Sequence, residues 1–565
     1  MGMLRSRGWR LVGSVALAAT LTAAGCANDT DTASTPTTAA STGDDRSTTT
    51  AEATTTAPER SCDQEPTVSP VEAAPVAATP SDVDVTSFDG TTIRLHWFPA
   101  PGDDRHPTVL MGPGWSQPGS TLAQDPILFG ALGIAGMNDA GYNVLTWDPR
   151  GFGESTGLAS VNDPEREGRD VQVLLDWVAE QPVAVVDRPG DPRVGMVGAS
   201  YGGGIQLTVA AIDCRVDALV PSLAWHSLRT SLHKSETVKA GWSGFLNTAA
   251  LTFGGRLDPH ITSAAESGIG QGILSDEDRE WFISRGPGDL IDQVSVPTLF
   301  VQGTVDTLFT LDEAVTNYES LRKRGIPTAM IWFCGGHGTC LTDEGDATLV
   351  NERSFAWLDK YLKGNDSADT GDRVDVVDQN AKHWTADDYP VEPAEPVTAR
   401  GSGKLALDAS SAAGPLAAPR AGSNDILSSS VLPITPSKAT TSLDVKIDPG
   451  EVDALALGAP RLEMTYSGTA PAGDRPTRVF AQLVDDDTGI VLGSQITPVE
   501  VVLDGKPHDV SVDLEMIAFH LRPGHTVTLQ LVATTVAYAQ PRLGGSLDAS
   551  KISISLPVAK DVTPG

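Results

Sequence analysis

The stretch Val194–Gly204, Val-Gly-Met-Val-Gly-Ala-Ser-Tyr-Gly-Gly-Gly, constrains the fold more than any other part of the chain. Its apolar run Val194–Val197 reads as a short buried strand. The strand enters Gly198-Ala199-Ser200-Tyr201-Gly202, and Ile205–Ile212 beyond it is apolar and Ala-rich enough to begin a helix. Strand, sharp turn and helix are the setting in which G-x-S-x-G carries chemistry. Gly198 and Gly202 lack a Cβ, so strand and helix can cross closely. Ser200 would then project above the sheet on a strained backbone, with the Tyr201 N–H aimed at the oxyanion that its attack creates. The competing reading is a Gly-rich turn that packs a helix and does nothing more.

The flanking segments extend the pattern. Thr108–Met111, Tyr142–Trp147, Val216–Leu223, Val296–Val301 and Thr328–Phe333 read as strands. Val83–Thr86 and Thr92–Phe98 flank Asp89-Gly90, a hairpin signal. Arg169–Gln181 places Val173, Leu174, Trp177 and Val178 on one helical stripe, and helices are expected near Leu311–Arg324 and Arg353–Leu362. This alternation implies an α/β unit over 76–395, with a mostly parallel sheet covered on both faces. Gly151-x-Gly153 lacks the further glycine and the Lys-Ser/Thr of a phosphate loop, so it reads as a structural turn pinned by Asp148 and Arg150. Trp225–Gly288 is a long, weakly periodic insertion, either a helical cap over a site (about 225–290) or a plain subdomain. Trp225 and His226, at its start, are candidate pocket-lining residues. Beyond about Val397 helical periods vanish. Short alternating runs such as Gly403–Leu407, Ser442–Ile447, Ile490–Leu503 and Lys551–Leu556 imply an all-β sandwich of jelly-roll type over 396–565.

Arg5, Arg7 and Arg10 precede the apolar Leu11–Leu21, which is too short for a stable span, and Ala23-Ala24-Gly25 offers a cleavage site. Cys26 directly after it completes the pattern of a bacterial lipoprotein signal over 1–26. The expectation is lipidation at Cys26 and anchorage on the outer face of the cell membrane, with ordinary secretion as the alternative. Met1-Gly2-x-x-x-Ser6 also fits an N-myristoylation pattern, but explains less of the segment. Residues 27–75, rich in Thr, Ser and Asp, bury too little to offset ordering entropy and read as a flexible tether. Cys62, Cys214, Cys334 and Cys340 remain. An even number in an exported chain suggests two disulfides, Cys334–Cys340 locally and Cys62–Cys214 at long range, with other pairings open. Asp and Glu outnumber Lys and Arg by 73 to 40, a formal charge of −33. Such a chain repels phosphate backbones, which argues against a nucleic-acid partner. No second apolar run approaches the length of a membrane span, so membrane contact is expected only through the lipid.

A serine hydroxyl needs a base to take its proton and an acid to orient that base. On a strand–turn–helix scaffold the order along the chain is serine, acid, histidine. Asp306 is the first carboxylate past the strand ending at Val301. Asp312, the competitor, falls where a helix begins and suits an N-cap. His337 lies in Cys334-Gly335-Gly336-His337-Gly338-Thr339-Cys340, after the next strand, and is assigned as general base. Cys-x-x-His-x-x-Cys could also bind zinc, but a fourth ligand is missing from the pattern and exported thiolates seldom stay reduced. A Cys334–Cys340 disulfide stiffening the histidine loop is preferred, and neither metal nor cofactor is expected. The second oxyanion donor should come from the loop after Thr108–Met111. The Trp115 amide is the candidate and Gly114 the alternative.

Taken together, the chain after Cys62 resembles the X-prolyl dipeptidyl-peptidases and cocaine-esterase-type acyl hydrolases. The resemblance is carried by Gly198–Gly202 with tyrosine directly after the serine, by Trp147-Asp148-Pro149-Arg150-Gly151-Phe152-Gly153-Glu154-Ser155, by the Trp177 helix, by Asp306 and His337, and by the β-rich end. It implies an α/β-hydrolase core, a helical cap and a C-terminal jelly roll, acting on small ester or amide substrates or on peptides without a metal. Some relatives supply an oxyanion donor from a tyrosine hydroxyl after the early strand. Here that loop reads Gly112-Pro113-Gly114-Trp115, which favours a backbone donor. A dipeptidyl-peptidase must also bind a free α-amino group, for which the insertion offers Glu236 or Glu266.

Overall fold

The computed structural model of the protein describes residues 79–102, 104–123, 132–346, 348–416, 430–473 and 477–565. The expected leader, Cys26, the whole tether and Cys62 lie outside the described residues. Eleven strands form one sheet in the order Ser81–Thr86, Thr92–Phe98, Asn143–Trp147, Thr108–Gly112, Val194–Ala199, Val216–Ser222, Thr298–Gly303, Thr328–Phe333, Val374–Val377, His383–Ala386 and Thr563–Pro564. The strands from Asn143–Trp147 to Val374–Val377 run parallel, and antiparallel strands finish both edges.

The central strands are buried along their whole length, which is why they read as continuous apolar runs. Successive side chains point to opposite faces. Leu110, Leu145 and Met196 therefore pack with Leu174, Trp177, Ile205 and Tyr318 on one face. Val109, Val144 and Val197 pack with Met137, Leu358 and Leu362 on the other. The turns between strands and helices at the C-terminal edge are where an open parallel sheet collects its functional residues.

Residues 225–290 fold into short helices, Leu228–Leu232, Ala240–Thr252, Pro259–Gln271 and Asp276–Ile283. Asp258 and Ser275 cap the last two by accepting N–H bonds from His260 and Asp278. Among the described residues no helix is long and apolar enough to cross a membrane.

The C-terminal region holds two four-stranded antiparallel sheets. Leu405, Met464 and Ile554 from one and Val445, Leu483 and Leu529 from the other share a single core. Ile490–Leu503, expected as one strand, instead holds a 3-10 turn at Leu492–Ser494 followed by strand Thr497–Glu500. A further antiparallel pair, Ala454–Gly458 with Ile517–Leu521, was not expected from the sequence. Leu455, Leu457 and Ala518 join the α/β core, whereas Ala456, Ile517 and Phe519 join the sandwich core. Both faces of this pair are buried, so strand Ala454–Gly458 shows no polar alternation to detect.

Candidate active site

Ser200 stands between strand Val194–Ala199 and helix Tyr201–Ile212 with φ 59° and ψ −117°, a left-handed conformation that a non-glycine residue adopts only under constraint. The constraint is a close crossing. A Cβ on Gly202 would stand 2.1 Å from the Gly112 carbonyl oxygen, and one on Gly198 would stand 2.7 Å from that of Gly202. The Ser200 N–H donates to the Ser222 carbonyl at 2.9 Å. Buried Gln206 pins the turn from behind, donating to Gly198 O at 3.1 Å and Gly202 O at 2.9 Å. Gln206, the one amide side chain in a mostly apolar helix, is a signal that could have marked that role.

Asp306 follows strand Thr298–Gly303 and is fully buried. Its Oδ1 accepts the N–H groups of Leu308 and Phe309 at 2.9 and 2.8 Å. Its Oδ2 meets His337 Nδ1 at 2.7 Å and accepts the His337 N–H at 3.1 Å. The imidazole sits edge-on to Phe309 and Trp242, with ring centroids 5.2 and 5.7 Å away. His337 Nε2 is buried without a hydrogen-bond partner, so no hydrogen bond to the Ser200 hydroxyl is formed in this structure. The glycines around His337 have a steric reason: a Cβ on Gly338 would stand 1.8 Å from the Val305 carbonyl oxygen, and Gly336, at φ +123°, lies against Asp306. Cys334 and Cys340 are joined in a disulfide that brackets this loop. Their thiols are thereby withdrawn from the zinc alternative, and no His/Cys/Asp/Glu cluster able to hold a metal occurs among the described residues.

A cavity of about 110 Å³ opens above Ser200. Trp115, Tyr201, Trp225, Leu246, Ile261, Phe282 and Phe309 are among its walls, which are mostly apolar. Trp115 crosses Phe152 and Tyr201 edge-to-face at 4.9 and 5.2 Å, and its indole N–H donates to Leu246 O in cap helix Ala240–Thr252 at 3.0 Å. Trp225 donates to Arg285 O at 3.2 Å. Several expectations are corrected here. His226 does not line the cavity: its ring bonds Asn317 at 2.8 Å and its N–H donates to Glu313 at 2.8 Å, because buried Glu313 draws that turn onto helix Leu311–Lys323. Asp312 is not an N-cap. Thr310 holds that position, and Asp312 lies one residue inside the helix, 3.1 Å from Lys234. Glu236, half-buried and paired with Arg229, and Glu266, exposed, are absent from the cavity walls, which include no carboxylate.

Asp148 and Arg150 pin the turn that carries them. Asp148 accepts the N–H groups of Gly119 and Glu154, and Arg150 grips Asp170 through two bonds of 2.7 Å. Glu167 escaped sequence reading, since nothing marks one carboxylate at a helix start. It is buried, accepts the Tyr201 hydroxyl at 3.1 Å and the Ser160 N–H, and burial pushes its carboxyl up to about 7.

An eleven-stranded mixed sheet with a serine elbow and an Asp–His pair at its C-terminal edge defines the α/β-hydrolase class of fold. Residues 89–339 match the family described as X-Pro dipeptidyl-peptidase (S15 family). An α-amino acid ester hydrolase structure superposes with a TM-score of 0.64 at 15% identity, covering 88% of this chain and 99% of that one. A CocE/NonD family hydrolase from Staphylococcus aureus does so with a TM-score of 0.59 at 14% identity, covering 86% of this chain and 97% of that one. These likenesses establish the fold across both regions. A polyketide transferase from a Penicillium species is 29% identical over 141 residues, which span 25% of this chain and 43% of that protein.

Proposed function

We propose that this protein is a serine hydrolase that cleaves esters of neutral, apolar acyl groups through an acyl-enzyme. The observation that carries the reading is the 2.7 Å His337–Asp306 bond, which leaves the opposite imidazole nitrogen buried and unpaired. On substrate binding Ser200 Oγ attacks the acyl carbon while His337 Nε2 takes its proton. Asp306 holds the tautomer, and the Tyr201 and Trp115 amides stabilise the oxyanion. The Tyr201 amide begins a helix, where N–H groups lack intrahelical partners. The proton passes to the leaving alcohol, and water, activated by the same nitrogen, releases the acid and restores Ser200.

The apolar walls without a carboxylate support an uncharged acyl group over an X-Pro dipeptide. A fluorophosphonate should label the wild type and not Ser200→Ala. p-Nitrophenyl butyrate should be turned over and Ala-Pro-p-nitroanilide should not. An unlabelled wild type that still binds ligand, with affinity unchanged in Ser200→Ala, would instead mark a non-catalytic binding protein. The two packed sheets are read as a jelly roll on the support of their shared core. The leader supports export and lipid anchorage at Cys26, and mass spectrometry showing a free, unmodified amino terminus would end that proposal.

A further inference from the structure

The backbone that presents Asp306 is held from outside itself. The carbonyl oxygens of Asp306, Thr307, Leu308 and Phe309 each accept a hydrogen bond from a buried side chain. Gln302, in the strand just before, donates to Phe309 O at 2.6 Å, a local contact. The other donors come from far away. Gln495 of the β-rich region donates to Asp306 O at 2.6 Å across 189 residues. Lys239, at the start of cap helix Ala240–Thr252, donates to Thr307 O at 3.1 Å and Leu308 O at 3.0 Å. Trp242, one turn further along that helix, donates to Thr307 Oγ1 at 3.1 Å.

Both remote donors are tied to the β-rich region, Gln495 by belonging to it and Lys239 by contact with it, and Gln379 of the α/β unit fastens the Gln495 turn. The Gly493 N–H, two residues before Gln495, donates to Gln379 at 2.8 Å, and the Gln379 amide reaches back to Val491 O at 3.3 Å. Lys239 lies 5.8 Å from the Tyr538 ring centre, and the cap backbone pairs with that segment through Gly241 N–H to Ala537 O and Ala539 N–H to Val238 O. Buried Glu515 supplies countercharge, pairing with Lys234 at 2.7 Å. Burial pulls the Lys239 ammonium down to about 8, against the pull of Glu515 and Asp306.

We propose that Gln495 and Lys239 are positioning residues for the catalytic acid, so that the C-terminal β-rich region sets the Asp306–His337 geometry as well as packing beside it. The proposal rests on the serine-hydrolase reading. Neither residue touches the reacting atoms. Each fixes the loop from which Asp306 reaches His337, and constellations of this kind lose rate when displaced by a fraction of an ångström. Removing one donor also strands a buried carbonyl, which shifts to find a partner.

The test compares Gln495→Met, which keeps length and removes the donor, with Leu462→Ala, which opens a cavity in the sandwich core away from the loop. For Gln495→Met, kcat on p-nitrophenyl butyrate should fall at least tenfold with KM within twofold. The rate of fluorophosphonate labelling should fall by the same factor. Leu462→Ala should lower the melting temperature while keeping kcat within twofold below the transition. Gln495→Asn, one methylene short, should give an intermediate loss and serves if Gln495→Met does not fold. A wild-type kcat in either Gln495 variant, or a kcat loss in Leu462→Ala matching that of Gln495→Met, overturns the proposal while the hydrolase reading stands. A wild type that takes no label overturns both.

Discussion

The two walls of the site are built differently. The floor is a set of glycine-lined turns cross-linked by buried hydrogen bonds: Gln206 behind Ser200, Asp306 against His337, and Gln302, Gln495 and Lys239 on the acid loop. The roof is mostly apolar side-chain surface from the cap, which meets the floor at contacts such as Trp115 to Leu246 O. The cap also carries Leu251, Phe253, Ile269 and Ile273, four of the eight large apolar residues left exposed among the described residues. A floor of this kind fixes reacting atoms, whereas an apolar roof selects by volume and adapts to what fills it. Floor variants should therefore lower kcat, and roof variants should move KM.

The largest expected effect is on the floor. Asp306→Asn keeps the size of the side chain but turns the hydrogen bond at His337 Nδ1 around, so kcat for p-nitrophenyl butyrate should fall about 10⁴-fold with KM little changed. A loss under tenfold would mean that this pair does not orient the base. Next comes the histidine loop. Replacing Cys334 and Cys340 together by alanine releases a six-residue separation. That should lower stability by about 2 kcal/mol and kcat roughly tenfold, read by urea denaturation and steady-state kinetics. On the roof, Ile261→Ala enlarges the cavity without touching the reacting groups. KM for p-nitrophenyl butyrate should rise about fivefold with kcat retained, and longer acyl chains should recover the loss. If Ile261→Ala lowers kcat as Asp306→Asn does, the division between floor and roof fails.

The floor was also the legible half. Ser200, Asp306 and His337 could be placed because each follows a strand whose apolar run is unmistakable, and because glycines mark the turns where backbones meet. The roof was less legible. Its helices are short and bury one side against an irregular cavity, so Trp225 stands in the cavity wall while its neighbour His226 does not; a single residue's rotation decides between the cavity and helix Leu311–Lys323. Gln495 and Lys239 were invisible for another reason. Their roles depend on contacts across 189 and 68 residues, which no local pattern encodes. Strand Ala454–Gly458 failed through burial on both faces, which erases the alternation that made its neighbours readable.

Glu167 sharpens the comparison from beneath the floor, with the smallest expected effect on turnover. Its carboxyl bonds the Tyr201 hydroxyl but faces away from the cavity, and burial pushes it up to about 7 from an ordinary 4.5. The native state thus favours the protonated acid, while the unfolded chain ionises near 4.5. The stabilising contribution of the neutral acid is complete below that value and is lost as pH rises through 7. The native state then holds a buried charge at a cost of roughly 3 kcal/mol. Glu167→Gln cannot ionise, so the urea midpoint of the variant should rise relative to wild type between pH 5 and pH 8. With the Tyr201 hydroxyl still offered an amide oxygen, kcat should stay within threefold. A wild type and variant whose midpoints move in parallel with pH would show that Glu167 keeps its charge in the fold. A kcat loss approaching that of Asp306→Asn would extend the floor one layer deeper, to the residues that hold the Tyr201 side chain beside the serine.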